Sequence, residues 1–343
     1  MTDVRTRSAA GPRGRRTTAD ARGRAASLAG DAAAAAGSRP RGRGGRGPHT
    51  SGWWALFFLA PTGIGLGVFY VWPLIQTLYF SFTSWGPFGG HTFTGLANYR
   101  ALLHDPALSS SFLNTLWYCL LGLIGVPISL VLAQVLGRRG RRGVSVYRTL
   151  MFLPVVTMPA AVAIVWRWLY NGNYGLVNEL LSKIGVNGPY WISDPHTALI
   201  AIAIVGIWST IGYNMVILMA GLQSIPRTYY EAAELDGAGP VRQFLSVTVP
   251  LLTPSIFFVT VYSVIGSLQT FDLIYVLMGP SGSGQVTNPA LPQAESVVYL
   301  FYQDSFVENN RGYGAAIAFV LMLVIIAVTG LQFRLQRRWV HYG

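Results

Sequence analysis

Long apolar runs and shorter polar segments alternate along the chain. An apolar helix of about 20 residues crosses the roughly 30 Å hydrocarbon core of a membrane. Six runs reach that length, and they occupy residues 53–82, 113–136, 150–170, 197–222, 251–278 and 313–333. The pattern therefore predicts an all-α, polytopic membrane protein with six transmembrane helices.

Composition supports this class and narrows the chemistry. Of 343 residues, 52% are hydrophobic and 11% are charged, whereas a soluble domain has about 25% charged residues. The single cysteine, Cys119, lies inside an apolar run. It excludes a disulfide framework or a cysteine metal site within one chain. The five histidines are scattered outside the runs, so we expect no metal, no cofactor and no catalytic cluster.

The amino-terminal segment differs from the rest of the chain. Residues 1–52 hold eleven Arg against three Asp, among many Gly and Ala. With almost nothing to bury, this segment is predicted to be a disordered tail ahead of a transmembrane domain at 53–343. The run at 41–47 is of a kind that binds nucleic acid. Beside a membrane, a topology determinant or a contact for anionic lipid is the simpler interpretation, so no nucleic acid partner is expected.

The basic residues also predict the orientation. On one face lie the tail, the loop after the second run, the segment 221–254 and the carboxyl terminus. Together they carry 21 of the 25 Lys and Arg residues. By the positive-inside rule that face is cytoplasmic, and both termini lie on it.

The polar segment at 221–254 separates two apolar runs. Ser224 and Pro226 are typical of a helix start, and we expect Ser224 to accept from free N–H groups in the first turn of a helix ending near Leu235. Gly237 permits the left-handed backbone that ends such a helix. Pro240 then opens a second short helix. The segment therefore reads as a helix, a glycine turn and a helix.

A spaced motif lies inside this segment. Glu231-Ala232-Ala233, then Gly237, then Val247 and Val249-Pro250 resemble the EAA loop of the membrane subunits of binding-protein-dependent ABC importers, with Val in place of the usual Ile and Leu. The alternative is an ordinary amphipathic loop, because Glu and Ala are merely good helix formers. The resemblance implies that an ATPase docks on this EAA loop. The coupling residues would be Glu231, Ala232, Ala233, Asp236 and Gly237.

The resemblance extends to the carbohydrate-importer branch and covers about residues 53–340, including the stretch from Phe58 to Trp85. It implies the type I permease fold in the cell membrane, a second homologous permease subunit, an ATP-binding cassette dimer, an extracytoplasmic solute-binding protein and a sugar substrate. ATP hydrolysis would reside in a partner. A P-loop needs a Gly-Lys pair, and the only lysine, Lys183, follows a serine.

A stripe of small polar residues marks the fifth run. Thr260, Ser263, Ser267 and Thr270 share one face of a helix, where hydroxyls could bond sugar hydroxyls. The alternative is that they bond their own backbone or permit close packing. The family resemblance implies a substrate pathway at these positions. Its members here would be Ser263, Ser267, Thr270, Val155, Pro159, Trp208, Ile211 and Gly212.

Two other functions remain alternatives. A self-sufficient secondary transporter would usually show internal repeats and charged residues at the midplane, where only Asp272 is found. On a continuous helix Asp272 falls opposite Ser263, so a contact with a neighbouring span is expected there rather than a substrate contact. A membrane enzyme would need paired carboxylates or a metal cluster at one interface.

Overall fold

The computed structural model describes residues 52–85, 89–137, 143–279 and 288–339. The chain forms two compact units, residues 1–66 and 67–343. The first contributes one described helix, α1, Gly52–Leu66, with Pro61 inside it. The predicted disorder of residues 1–51 and the arginine cluster at 138–142 lie outside the described residues.

The second unit is built almost entirely of helices. A π turn at Gly67–Val71 precedes α2. The described α-helices that follow are α2, Trp72–Phe80; α3, Ala97–Leu102; α4, Pro106–Gly122; α5, Gly125–Gly137; α6, Val144–Val156; α7, Pro159–Leu169; α8, Leu176–Lys183; α9, Ala198–Ser224; α10, Arg227–Leu235; α11, Pro240–Gln243; α12, Val249–Leu251; α13, Thr253–Leu268; α14, Asp272–Met278; α15, Val297–Tyr302; and α16, Arg311–Trp339. π turns at Phe244–Thr248 and Gln303–Val307 and a 3-10 turn at Leu291–Gln293 complete the helical elements.

Up to six of these segments can cross a membrane. Within the described residues, four helical stretches are long and apolar enough, namely Leu56–Phe80, Pro106–Gly137, Ala198–Ser224 and Arg311–Arg337. Two bent pairs pass the same test together. They are Val144–Val156 with Pro159–Leu169, bent by 103°, and Pro240–Leu251 with Thr253–Leu268, bent by 71°. If each bent pair is one span, the predicted number of six is reached.

The third and fifth apolar runs are broken rather than continuous. Pro159 starts α7, and the residue before it, Met158, has the extended ψ of 130° that a following proline favours. The fifth run breaks again at residues 269–271, after α13 ends at Leu268 and before α14 begins. The expectation of one straight helix from 251 to 278 is therefore wrong.

Helix α9 forms the centre of the core. Its Ile202, Val205, Met215 and Leu218 side chains are fully buried. Among the glycines of α9, Gly212 allows the closest approach of a neighbouring helix, since a Cβ there would lie 2.0 Å from the Met151 carbonyl oxygen of α6. Small residues commonly let membrane helices approach in this way.

A short β-hairpin was not predicted. Strands β1, Thr83–Trp85, and β2, His91–Phe93, pair antiparallel with Ser84 opposite Thr92. The side-chain amide of Asn98 on α3 donates to the carbonyls of Ser81 and Thr83, both at 2.9 Å. Local polar contacts therefore stabilise the hairpin, and the strands are too short to leave an alternating pattern in the sequence.

Candidate substrate cavity and coupling loop

A cavity of about 380 Å³ lies between the broken helices. Its wall combines the α6–α7 break, the end of α4, the middle of α9, the second half of α13 and the break before α14. A proline bend in an α-helix leaves backbone groups without their helical partners and opens space between neighbouring helices. At membrane depth, such backbone groups are found where they line a cavity. The breaks at residues 157–158 and 269–271, which interrupt the third and fifth predicted spans, therefore create the cavity.

The wall carries many polar side chains among apolar ones, and no positive charge. Within the described residues none of its members is Lys, Arg or His, and Asp272 is its one carboxylate. The polar side chains on it are Tyr118, Thr157, Ser209, Thr210, Tyr213, Tyr262, Ser263, Ser267, Gln269, Thr270 and Asp272. Such a wall can exchange hydrogen bonds with a hydroxylated solute, but it offers no cation for an anion.

Two hydroxyls of the predicted stripe are not used by their own helix. Thr260 donates to the Ile256 carbonyl at 2.8 Å, which is the backbone bonding common in membrane helices. The Ser263 hydroxyl instead accepts from the Asn214 amide at 3.3 Å, and the Ser267 hydroxyl has no hydrogen-bond partner in the described part of the chain. Ser263 and Ser267 both line the cavity, so both can donate into it.

The predicted pathway residues divide into two groups. Ser263, Ser267, Thr270, Val155 and Pro159 line the cavity. The residues predicted on α9 do not, because they face its other contacts. Trp208 meets the Trp166 ring edge-on at 5.6 Å, the Ile211 carbonyl accepts from Ser129 at 3.4 Å, and Gly212 packs against Met151. The α9 residues on the wall are instead Gly206, Ile207, Ser209, Thr210 and Tyr213.

Asp272 is placed differently from the expectation. The helical-wheel argument assumed an unbroken helix and put Asp272 opposite Ser263. Because the chain breaks at residues 269–271, Asp272 begins α14 and lines the same cavity as Ser263. Its exposed side chain has no hydrogen bond or ion pair with any described residue.

The sequence reasoning missed several wall residues, among them Tyr213 and Tyr262, and also the buried Asn214 behind the wall. Tyr213 and Tyr262 lie 4.6 Å apart between ring centroids. On α9 and α13 respectively, each is the wall residue nearest the EAA loop along its helix, so the pair marks that end of the cavity. Asn214 is 1% exposed and reaches the wall through Ser263. Within an apolar run, a single Tyr or Asn leaves no signal that identifies its partner.

The EAA loop has the predicted helix–turn–helix form. The amide of Ala238 donates to the Ala233 carbonyl and that of Gly237 to the Glu234 carbonyl, both at 2.9 Å, which is the Schellman pattern. Gly237 has φ of +73°, as that pattern requires. Pro240 opens α11 as predicted. The proposed Ser224 cap is wrong, because its hydroxyl donates to the Gly221 carbonyl.

The loop presents an apolar surface. Glu231, Ala232, Asp236 and Gly237 are exposed and Ala233 is half-buried. Three large apolar side chains nearby are strongly exposed, namely Leu235 at 90%, Val241 at 72% and Leu245 at 61%. Exposed apolar groups gathered beside polar residues are typical of a protein interaction site. The sequence reasoning did not assign Leu235 to this surface.

The loop is tied to the cavity through α13. The Tyr230 hydroxyl of α10 lies 3.0 Å from the Thr248 hydroxyl in the π turn. That turn continues through α12 to the 71° bend and into α13, which carries Ser263 and Ser267. At the other side of the bend, a Cβ on Gly221 would lie 2.4 Å from the Ser255 hydroxyl. Packed groups therefore connect α10 with the helix that carries part of the cavity wall.

Comparison with known proteins identifies the family. Residues 125–341 match the family described as the inner membrane component of binding-protein-dependent transport systems. The chain belongs to this family. Among its relatives, the sn-glycerol-3-phosphate transport system permease protein UgpA of Yersinia enterocolitica is 34% identical over 84% of this chain and 96% of the relative. The Agrobacterium fabrum protein of the same name is 34% identical over 83% of this chain and 95% of the relative.

Solved structures share the fold. A bacterial ABC transporter that imports the acidic polysaccharide alginate superposes with a TM-score of 0.73 at 21% identity, covering 84% of this chain and 96% of the other. A bacterial alginate ABC transporter in complex with an alginate pentasaccharide-bound periplasmic protein superposes with a TM-score of 0.74 at 21% identity, covering 85% of this chain and 96% of the other. The predicted all-α permease fold of an ABC importer subunit is confirmed. The family match also favours a binding-protein-dependent permease over a self-sufficient secondary transporter.

Proposed function

We propose that this permease subunit imports an uncharged polyhydroxylated solute, a sugar or a related polyol, through the cavity between α4, α6, α7, α9 and α13. A solute-binding protein delivers the solute, and a second permease subunit completes the pathway. An ATP-binding cassette dimer supplies the energy from outside this chain. The cavity alternates between access from the binding protein and access from the EAA loop side, where Tyr213 and Tyr262 close it.

One observation carries the choice of solute. Ser263 and Ser267 present hydroxyls that their own helix does not use, in a wall with no described Lys, Arg or His. Sites that bind small solutes fix orientation with a few placed polar groups. Hydroxyls match the hydroxyls of a sugar one for one, because each group is both donor and acceptor.

A second candidate solute follows from the relatives, whose names specify sn-glycerol-3-phosphate. A phosphate ester is usually bound by Arg, Lys or backbone N–H groups at a helix N-terminus. The described wall offers no Arg or Lys. The N-termini of α7 and α14 border it, but Asp272 at the start of α14 adds a negative charge there. The uncharged solute is therefore the better match.

The EAA loop is the proposed docking site of the ATPase. Glu231 can pair with a basic group at the edge of a groove, while Ala232 and Ala233 keep the helix surface low. Asp236 ends α10, and Gly237 reverses the chain. Leu235, Val241 and Leu245 supply apolar area that docking would remove from water. By the positive-inside rule, the arginine distribution supports a cytoplasmic position for this loop and both termini.

Reconstitution into liposomes tests the proposal. This chain would be combined with its partner permease, ATPase and binding protein, and uptake of labelled glucose, maltose, trehalose and sn-glycerol-3-phosphate would be measured with ATP inside. Uptake of a neutral sugar is expected. Uptake of sn-glycerol-3-phosphate alone would contradict the proposed solute.

Labelling of single cysteines tests the proposed orientation. Ser182→Cys in a Cys119→Ser background should react with an impermeant maleimide from outside cells, and Thr228→Cys in the EAA loop should not.

A further inference from the structure

Four aromatic side chains form a continuous series that begins in the cavity wall. Phe271 lines the cavity, and its ring lies 5.2 Å from Tyr275 and 5.1 Å from Tyr302. Tyr302 lies 5.8 Å from Phe306. All four rings belong to the break before α14, to α14 itself, and to α15 with the π turn after it. We call this series the aromatic ladder.

The ladder runs from the cavity to the surface on the side opposite the EAA loop. Phe271 and Tyr302 are half-buried, Tyr275 is 37% exposed and Phe306 is 63% exposed. The interplanar angle is 23° between Phe271 and Tyr275 and 30° between Tyr302 and Phe306. The rings within each of these pairs are nearly parallel, whereas Phe271 and Tyr302 are tilted by 51° and Tyr275 and Tyr302 meet edge-on at 74°. Phe306, at the end of the series, is the most exposed of the four.

The fold holds the ladder in place. Ser296 caps α15 by accepting from the Tyr299 amide at 3.1 Å, and its hydroxyl donates to the Thr270 carbonyl at 2.7 Å. This bond fixes α15, and with it Tyr302, beside Phe271, which follows Thr270 in the chain. The Val297 amide also donates to the Thr115 hydroxyl of α4 at 3.1 Å. Such positioning would not be needed for rings that merely face lipid.

The chemistry of aromatic faces indicates what the ladder would bind. The π face of a ring carries partial negative charge, and it attracts the weakly positive C–H groups that cover one face of a sugar ring. Such C–H contacts are individually weak, so they permit movement from one ring to the next.

We propose that the aromatic ladder is a sugar-binding path that passes the solute from the outer surface to the hydroxyl-lined cavity. It rests on the proposed function and adds a requirement for a ring-shaped solute with an apolar face. Continuity with the cavity through Phe271 favours this occupant. The alternative occupant is the second permease subunit, which would cover the same rings.

Four variants test the ladder in the reconstituted complex, with glucose, maltose and trehalose as probes. Tyr302→Ala and Phe306→Ala should lower uptake of whichever sugar the wild type imports by at least threefold at sub-saturating binding protein. Tyr302→Phe keeps the ring and should match the wild type. Phe258→Ala removes a 53% exposed ring of α13 that lies off the cavity and the ladder, and it should also match. Solute-independent ATP hydrolysis should be unchanged in all four.

Each contrary outcome has a separate meaning. Wild-type sugar uptake in both Tyr302→Ala and Phe306→Ala would overturn the ladder while leaving the proposed function intact. Equal loss in Tyr302→Phe and Tyr302→Ala would also overturn it, because the ring face would not be the active feature. Loss of the second permease from purified Phe306→Ala complexes would assign the rings to the subunit interface. Failure of the wild type to import any sugar would overturn the proposed function and the ladder together.

Discussion

The Asn214 amide of α9 donates a 3.3 Å hydrogen bond to the Ser263 hydroxyl of α13. Asn214 is fully buried, whereas Ser263 lies on the cavity wall. Because the hydroxyl oxygen already accepts this bond, the hydroxyl hydrogen of Ser263 is directed away from Asn214. The pair therefore fixes a donor in the cavity and joins the two helices that carry most of its polar wall.

Replacing Asn214 tests this arrangement. Asn214→Ala should raise the solute concentration for half-maximal uptake about threefold, since hydrogen bonds between membrane helices average about 0.6 kcal/mol. Ser129→Ala is the matched control. Its buried hydroxyl bonds the Ile211 carbonyl at 3.4 Å, yet Ser129 lies off the cavity, so half-maximal uptake should not change. An equal effect of both variants would show that packing, rather than the Ser263 contact, is responsible.

The turn at Gly237 gives a second prediction. A side chain at its φ of +73° costs about 1 kcal/mol, although no atom lies within 4 Å of an added Cβ. Gly237→Ala should therefore lower the affinity for the ATPase up to about fivefold. Gly239→Ala is the control, because Gly239 has equal space and a φ of −68°. Pull-down titrations measure both, and equal binding by the two variants would contradict the role of the turn.

Leu235 tests the docking surface without disturbing the fold. Its side chain is 90% exposed, so Leu235→Glu should fold normally while placing a charge where docking would remove water. We expect the ATPase to be lost on purification and uptake to stop. Leu103→Glu alters an 83% exposed leucine between α3 and α4 and should retain the ATPase. Retention of the ATPase by Leu235→Glu would remove this residue from the interface.

A buried carboxyl group outside the membrane-spanning segments makes stability depend on pH. Burial raises the pKa of Asp304 to about 6, with further contributions from Glu308, Asp105 and Glu295. The folded protein therefore binds this proton more tightly than the unfolded chain, and stability falls as pH rises from about 4 to about 6. Asp304→Asn should raise the melting temperature at pH 7.5 and flatten its dependence below pH 6. Asp236→Asn, at an exposed position, is the control and should change neither the melting temperature nor its pH dependence. If the melting temperature of Asp304→Asn followed pH in parallel with the wild type, the raised pKa of Asp304 would be contradicted.

The sequence predicts the features that depend on local chemistry. Gly237 and Pro240 impose a turn and a helix start, and the structure has both. The apolar runs likewise predict the number of spans. The break at Met158 follows from Pro159, a local signal that run length alone ignores. The break at residues 269–271 has no proline and depends on how neighbouring helices satisfy freed backbone groups, so the fifth run does not reveal it. Packing between distant segments determines which way Trp208 points and which residues Tyr213, Tyr262 and Asn214 contact. A single sequence shows no pattern from which such contacts can be predicted.

The central claim is that the solute passes along the Ser263–Ser267 wall, and labelling at Ser267 tests it most directly. Ser267→Cys in a Cys119→Ser background would be treated with a charged methanethiosulfonate reagent in the reconstituted complex, with Phe258→Cys as control. The account predicts that labelling of Ser267→Cys stops sugar uptake, that excess sugar slows the labelling, and that labelled Phe258→Cys still imports. Full uptake by completely labelled Ser267→Cys would contradict it.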